Sequence, residues 1–175
     1  NTGTMVNKFL ALIATRQISA SSKGWKWPPH VYATGRVCDR VVYVNENVPV
    51  RIVSAYGYSG DGEARASTEV LLDGIFQSLG DQKMPTLVCG DLNIDSKDSL
   101  TLSRSLQTGW CDIGAWWAKK MGHEPQKTCF LTPESVGSRV DMIWGNAAVM
   151  KAVTRFDVLP LEFGPTHHPL RVVMQ

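Results

Sequence analysis

The stretch Thr86-Leu87-Val88-Cys89-Gly90-Asp91-Leu92-Asn93 restricts the fold more than any other part of the chain. It is a short apolar run with Pro85 in front and a polar cluster behind, the pattern of a buried strand. The run ends on Gly90, which allows another backbone or a ligand to come close, and then on Asp91. A carboxylate at the carboxyl end of a strand stands where α/β proteins place their chemistry. Asp91 and Asn93 are two apart, so extended backbone would turn both to one face, where a carboxylate steadied by an amide can hold a water or a metal. The same letters also fit a strand that merely ends in a turn, because Gly, Asp and Asn dominate turns.

A chain of 175 residues is long enough for one domain with a real core, and residues 1–175 are read as a single domain. Apolar residues make up 43% and charged residues 19%, which argues against disorder. A net charge of +2 is too small to declare a nucleic-acid binder on its own. Cys38, Cys89, Cys111 and Cys129 are scattered, with no paired spacing for zinc or redox work, so reduced thiols and an intracellular protein are expected. No apolar run is long enough to cross a bilayer, and the first residues lack the order of a signal peptide. The absence of an initiator methionine suggests a start partway through a longer protein.

Several elements follow from periodicity. Val37–Val44 and Val48–Ala55 are rich in β-branched residues, and with Asn45-Glu46-Asn47 between them they read as a hairpin. Glu63–Leu79 repeats apolar residues at three and four, with Gly80 as C-terminal cap, and reads as an amphipathic helix. Ser96 is placed to cap a short helix carrying Leu100, Leu102 and Leu106, and Trp110–Met121 reads as a further helix. Arg139–Trp144, Val153–Leu159 and Leu170–Met174 alternate as strands. Phe9–Ala14 is apolar throughout and fits either strand or helix. Residues 15–35 read as a loop whose Trp25 and Trp27 fold back over the core, or else form a surface for stacking bases. Hairpins mixed with single helical crossovers suggest two packed sheets with helices outside them.

Two more stretches carry chemistry. Thr166-His167-His168-Pro169 sets adjacent histidines before a strand, and histidine can donate to a phosphate or act as acid or base near neutral pH. Ser138-Arg139-Val140-Asp141 puts a carboxylate in an apolar strand, where it needs a partner. That partner is either a histidine, whose tautomer it would fix, or a neighbouring arginine. The loop Tyr56–Gly62 lacks the spacing and the lysine of a phosphate-binding loop, and no glycine-flanked nucleophile elbow supports a serine hydrolase.

Taken in order, Gly90-Asp91-Leu92-Asn93, Ser138-Arg139-Val140-Asp141 and Thr166-His167-His168-Pro169 resemble the motifs of the endonuclease/exonuclease/phosphatase superfamily. Val53-Ser54-Ala55-Tyr56, Arg65 in the following helix and Lys127-Thr128 support the match, which runs from about residue 35 to the C-terminus. The resemblance implies an α/β fold: a four-layer α/β/β/α sandwich of two mixed sheets with outer helices, here short of its N-terminal part. It implies Mg²⁺-dependent hydrolysis of phosphoesters, with Mn²⁺ as the alternative ion and nucleic acid, chiefly DNA, as the leading substrate. Asp91 would activate water, Asn93 would hold that carboxylate, and His168 backed by Asp141 would touch the scissile phosphate. Tyr56 would contribute its hydroxyl.

Two departures accompany the resemblance. The family's Ser-Asp-His is Thr166-His167-His168 here, so His167 replaces an acid that helps hold the metal, and imidazole suits Mn²⁺ or Zn²⁺ better than Mg²⁺. The family's opening asparagine and metal-holding glutamate have no counterpart. A general base supplies about 10²–10⁴-fold, whereas phosphate-ester hydrolysis can demand well over roughly 15 kcal/mol of barrier lowering. This chain alone is therefore expected to be weak or inactive. A sugar- or lipid-phosphate phosphatase and a non-catalytic relic serving as a binding module are the other readings.

Overall fold

A computed structural model describes residues 3–6, 11–14, 18–20, 25–44, 48–132, 134–160 and 166–175. The elements in chain order are β1 (Gly3–Val6), β2 (Ala11–Ala14), β3 (Ile18–Ala20), α1 (Pro29–Tyr32), β4 (Val37–Val44), β5 (Val48–Ala55), α2 (Glu63–Leu79) and β6 (Thr86–Asp91). They continue with α3 (Leu100–Gln107), β7 (Trp110–Asp112), α4 (Ile113–Met121), β8 (Asp141–Asn146), α5 (Ala147–Met150), β9 (Val153–Val158) and β10 (Leu170–Met174).

Among the described residues one sheet has six strands in the order β3-β4-β5-β6-β8-β7, β9 pairs with β10 in a second, and β1 pairs with β2 in a third. β4 and β5 run antiparallel in register from Val37 opposite Ala55 to Val44 opposite Val48; the connecting residues 45–47 lie outside the described residues. β5 and β6 are parallel, with α2 as the crossover between them. β8 returns antiparallel to β6, and Asp141 stands directly opposite Asp91.

Alternation along the strands divides the apolar residues between two faces. Val53, Val88, Met142 and Trp144 meet Leu72, Ile75, Phe76 and Leu79 of α2, and Leu102 of α3. Trp144 is fully buried, edge-on to Phe76 at 5.8 Å between ring centroids. Burying one such side chain contributes about 1.5–3 kcal/mol. The opposite face, with Val42, Val50 and Leu87, packs on Val153 and Phe156 of β9 and on Leu170 and Val172 of β10. The expected α/β class, with two sheets packed face to face and helices outside, is what forms.

Some local expectations shift. The 15–35 stretch contains β3 and the one-turn α1. Trp25 and Trp27 do fold onto the core, held by Asp39, whose carboxylate accepts from Trp25 N (2.8 Å) and Trp27 Nε1 (3.0 Å) and pairs with Arg51 at 2.5 Å. Ser99, not Ser96, caps α3, accepting from Leu102 N at 3.1 Å, because a 3₁₀ turn at Ser96–Asp98 comes first. Glu69 on α2 also accepts from Thr101 N at 3.0 Å, tying the two helices together. Leu100 and Leu106 face solvent, so Leu102 alone of the three leucines reaches the core. Trp110–Met121 is two elements: Trp110–Asp112 pairs with β8 before Asp112 caps α4 through Ala115 N at 3.1 Å.

Candidate active site

β6 ends where it must pass very close to its neighbours. Gly90 has φ 147°, and a Cβ there would lie 1.9 Å from the carbonyl oxygen of Ala55. The next contact is as tight: a Cβ on Gly57 would lie 1.9 Å from the Leu92 carbonyl oxygen. Gly57 N donates to Asp91 O at 2.8 Å and Leu92 N to Val140 O at 2.8 Å. These contacts pin the backbone on both sides of Asp91, so its carboxylate is aimed by main chain on rigid elements.

Asn93 does not continue the strand. Its φ is 51°, its own N–H donates to Asp91 Oδ1 at 3.0 Å, and its side-chain amide donates to Gly57 O at 3.2 Å. The expected shared face is therefore replaced by a turn in which the main chain of Asn93, beside its amide, steadies the carboxylate. Burial raises the pKa of Asp91 above the ordinary aspartate value, and the Asp141 charge opposite adds to this. The Asn93 hydrogen bond and the imidazole of His167 pull it back only partly. Like charges directly opposite on a sheet are unfavourable, and groups perturbed in this way cluster at functional sites.

The histidine that meets Asp141 is His167. Its Nδ1 lies 2.9 Å from Asp141 Oδ2 and 3.1 Å from Oδ1. The expected pairing of Asp141 with His168 is thus made one residue earlier. His168 instead sends Nδ1 to the carbonyl oxygen of Leu159 at 3.2 Å and sets its ring 5.1 Å from that of Phe130. Adjacent residues of an extended segment point to opposite sides, so both histidines cannot face one carboxylate. A strap over residues 128–130 decides which does: Phe130 N donates to Thr166 O and His168 N to Thr128 O, bridging Cys129 to His167. The neighbouring arginine does not compete for Asp141, because Arg139 is buried against Asp112 at 2.5 Å. Thr166 has φ 66°, a strained value for a β-branched residue, held by this pairing.

Asp91, Asp141, His167 and His168 line a cleft of about 350 Å³ together with Pro169 and Leu170. One ligand atom from each of Asp91, Asp141 and His167 lies within 4.8 Å of the others, a cluster that could hold a cation. It departs from the oxygen shell that Mg²⁺ demands: both Asp141 oxygens face an imidazole nitrogen, and Asp91 Oδ1 already accepts from Asn93. Tyr56 stands outside the wall of this cleft, at the end of β5, with the Arg36 guanidinium 5.1 Å from its ring centroid.

One neighbour had no signal in the sequence. Cys129 Sγ lies 3.5 Å from His167 Nε2. Burial is the main cause of a raised Cys129 pKa, and the charges of Asp141 and Asp91 raise it further, so the group is a thiol at neutral pH.

The backbone fold is shared with solved proteins that include an AP endonuclease and a 3′ phosphatase. An AP endonuclease from Archaeoglobus fulgidus superposes with a TM-score of 0.66 at 14% identity, over 94% of this chain and 74% of that one. Danio rerio TDP2, solved with a single-strand DNA product, gives 0.68 at 12% identity, over 94% and 72%. The Neisseria 3′ phosphatase NExo, bound to a product DNA hairpin, gives 0.61 at 15% identity, over 100% and 79%. No family model and no curated protein matches the sequence. Among the described residues no helix is long and apolar enough to cross a membrane.

Proposed function

We propose that this chain is a phosphoester hydrolase domain of the nuclease kind, with Asp91 orienting the attacking water and the His167–Asp141 pair facing the scissile phosphate. One observation carries the reading: Asp91, Asp141 and His167 converge within 4.8 Å at the end of β6, in a fold whose solved examples include nucleases and phosphatases. Asp141 is acceptor-only when ionised, so Nδ1 of His167 carries the proton, and Nε2, 3.5 Å from Cys129 Sγ, is the nitrogen left to face a substrate. Protonated at Nε2, the ring donates to a phosphate oxygen while Asp141 stabilises its charge. Asp91, steadied by Asn93 N, accepts a hydrogen bond from the water and, in its ionised form, then takes its proton. Asn93 acts here as a positioning residue.

The donor set favours Mn²⁺ or Zn²⁺ over Mg²⁺, since one imidazole and few free carboxylate oxygens replace an oxygen shell. DNA is the favoured substrate because two of the structural neighbours were solved with DNA products. Hydrolysis of bis(p-nitrophenyl) phosphate and nicking of supercoiled plasmid with added Mn²⁺ test the reading. Slow turnover that falls at least about tenfold in Asp91→Ala is expected. Turnover unchanged by that substitution removes Asp91 from the chemistry. Brisk turnover with Mg²⁺ alone overturns the expectation of a weak isolated chain.

A further inference from the structure

We infer that a second pocket, which shares Asp141 with the cleft of the proposed hydrolase, holds one unpaired nucleobase of the substrate beside the scissile phosphate. Asp141 lines both spaces, so the two are neighbours. The second pocket encloses about 240 Å³. That is below the roughly 300–1,000 Å³ usual for drug-sized ligands and suits one ring system, not a base pair. Its helical wall comes from α4, where Gly114, Trp117, Ala118 and Met121 recur at three and four and so share one face. The small residues leave the space: a Cβ on Gly114 would lie 3.0 Å from the Phe156 ring and 3.1 Å from an Arg139 nitrogen. The large ones, Trp117 and Met121, border it together with Phe156 and Val158 of β9.

Charge on the walls selects the ligand. Arg139 is spent on Asp112 and on Ser96 Oγ at 3.2 Å, Asp157 on Arg155 and Arg171, and Asp141 on His167. The groups left to meet a polar edge are the exposed amide of Gln126 and Nε2 of His123, whose Nδ1 lies 2.8 Å from the Glu124 carbonyl oxygen. An anion entering the pocket would meet the Asp141 and Asp157 carboxylates, so a phosphate is disfavoured there and a neutral planar heterocycle is not. A base stacks on an aromatic ring whatever its identity, and an amide, at once donor and acceptor, matches its hydrogen-bonding edge. Since a base must leave its stack to enter, unpaired strands are preferred to duplex. The assignment of the base to a substrate rests on the proposed function, while the affinity of the pocket for a free nucleoside does not.

Thymidine, which carries no phosphate, separates the two. Titrating the whole chain with thymidine is expected to shift the indole N–H resonance of Trp117, assigned with Trp117→Phe, and to leave that of Trp25 in place. Deoxyribose 5-phosphate is expected to shift neither. Gln126→Ala, at an exposed position, is expected to weaken thymidine binding about 2–10-fold, the worth of one hydrogen bond. A Trp117 signal that ignores thymidine, that follows deoxyribose 5-phosphate equally, or that reports the same affinity in Gln126→Ala overturns the pocket. Under the Mn²⁺ assay, thymidine 5′-(p-nitrophenyl) phosphate is expected to be cleaved at least about fivefold faster than methyl p-nitrophenyl phosphate, the lower end for one base stack. Trp117→Ala is expected to remove that preference. Cleavage of both esters at one rate, lost in Asp91→Ala, overturns the base pocket and keeps the hydrolase. Thymidine binding at Trp117 without cleavage of either ester keeps the nucleoside site and removes the proposed reaction.

Discussion

His167 Nδ1 lies 2.9 Å from Asp141 Oδ2, while the ring of the next residue, His168, turns to the Leu159 carbonyl oxygen 3.2 Å away. The two imidazoles adjoin in sequence and differ in what they can do. One is oriented by an acid and opens toward Asp91. The other braces the start of β10 against β9.

Substitution separates these roles. His167→Ala is expected to lower phosphodiester hydrolysis by about 10²–10⁴-fold, the worth of a positioned acid–base group. His168→Ala is expected to lower it far less and to reduce the melting temperature instead. Rates for both variants on bis(p-nitrophenyl) phosphate decide the matter, and a larger loss in His168→Ala would reverse the assignment.

Asp91 illustrates a conflict between stability and chemistry. Its folded-state pKa is raised, chiefly by burial, so the carboxyl favours folding when protonated and opposes it once ionised. That stabilisation is complete below the ordinary aspartate value of 3.8 and is lost as pH rises through the folded value. Asp91→Asn is therefore expected to raise Tm at pH 7, with the gain shrinking toward zero as pH falls to about 3–4, while activity drops. Melting curves across that range check the sign; a lower Tm at pH 7 contradicts it.

The Asp39–Arg51 pair holds the tryptophan segment to the sheet. Asp39 is 3% and Arg51 6% exposed, and the Arg51 guanidinium also lies 4.5 Å from the Trp25 ring centroid. Asp39→Ala strands a buried cation and releases the Trp25 and Trp27 N–H groups, at an expected cost of about 3–5 kcal/mol. Urea denaturation measures this directly, and an unchanged midpoint would show that the segment is not anchored as described.

Gly57→Ala places a methyl group 1.9 Å from the Leu92 carbonyl oxygen, a backbone atom that cannot swing away. An expected loss of about 1–3 kcal/mol accompanies displacement of Asp91, whose carbonyl accepts from Gly57 N. Activity should fall further than the stability loss explains. A variant with native rate and stability would mean that the close approach is dispensable.

Much of the fold was legible in the sequence because its signals are local. β-branched alternation marked β4 and β5, three-and-four spacing with Gly80 marked α2, and Pro85 with Gly90 bounded β6. Asp91 and Asp141 were legible as charges in apolar strands, which solvation alone makes exceptional. Element ends were less so: Asp112 serves as both the last strand residue and a helix cap, and Ser99 took the capping role expected of Ser96.

Which histidine meets Asp141, and that Cys129 meets the histidine, were decided only in three dimensions. A one-residue change of register moves every side chain of an extended segment to the other face, and nothing in Thr166-His167-His168 marks the face. The choice was made by hydrogen bonds from residues 128–130, almost 40 positions away, which seat Cys129 beside His167. The sequence by itself determined which groups are available and which strands carry them, since hydrophobic periodicity is a property of neighbours in the chain. Their mutual orientation belongs to the tertiary structure, because it depends on backbone pairing between segments that share no local signal.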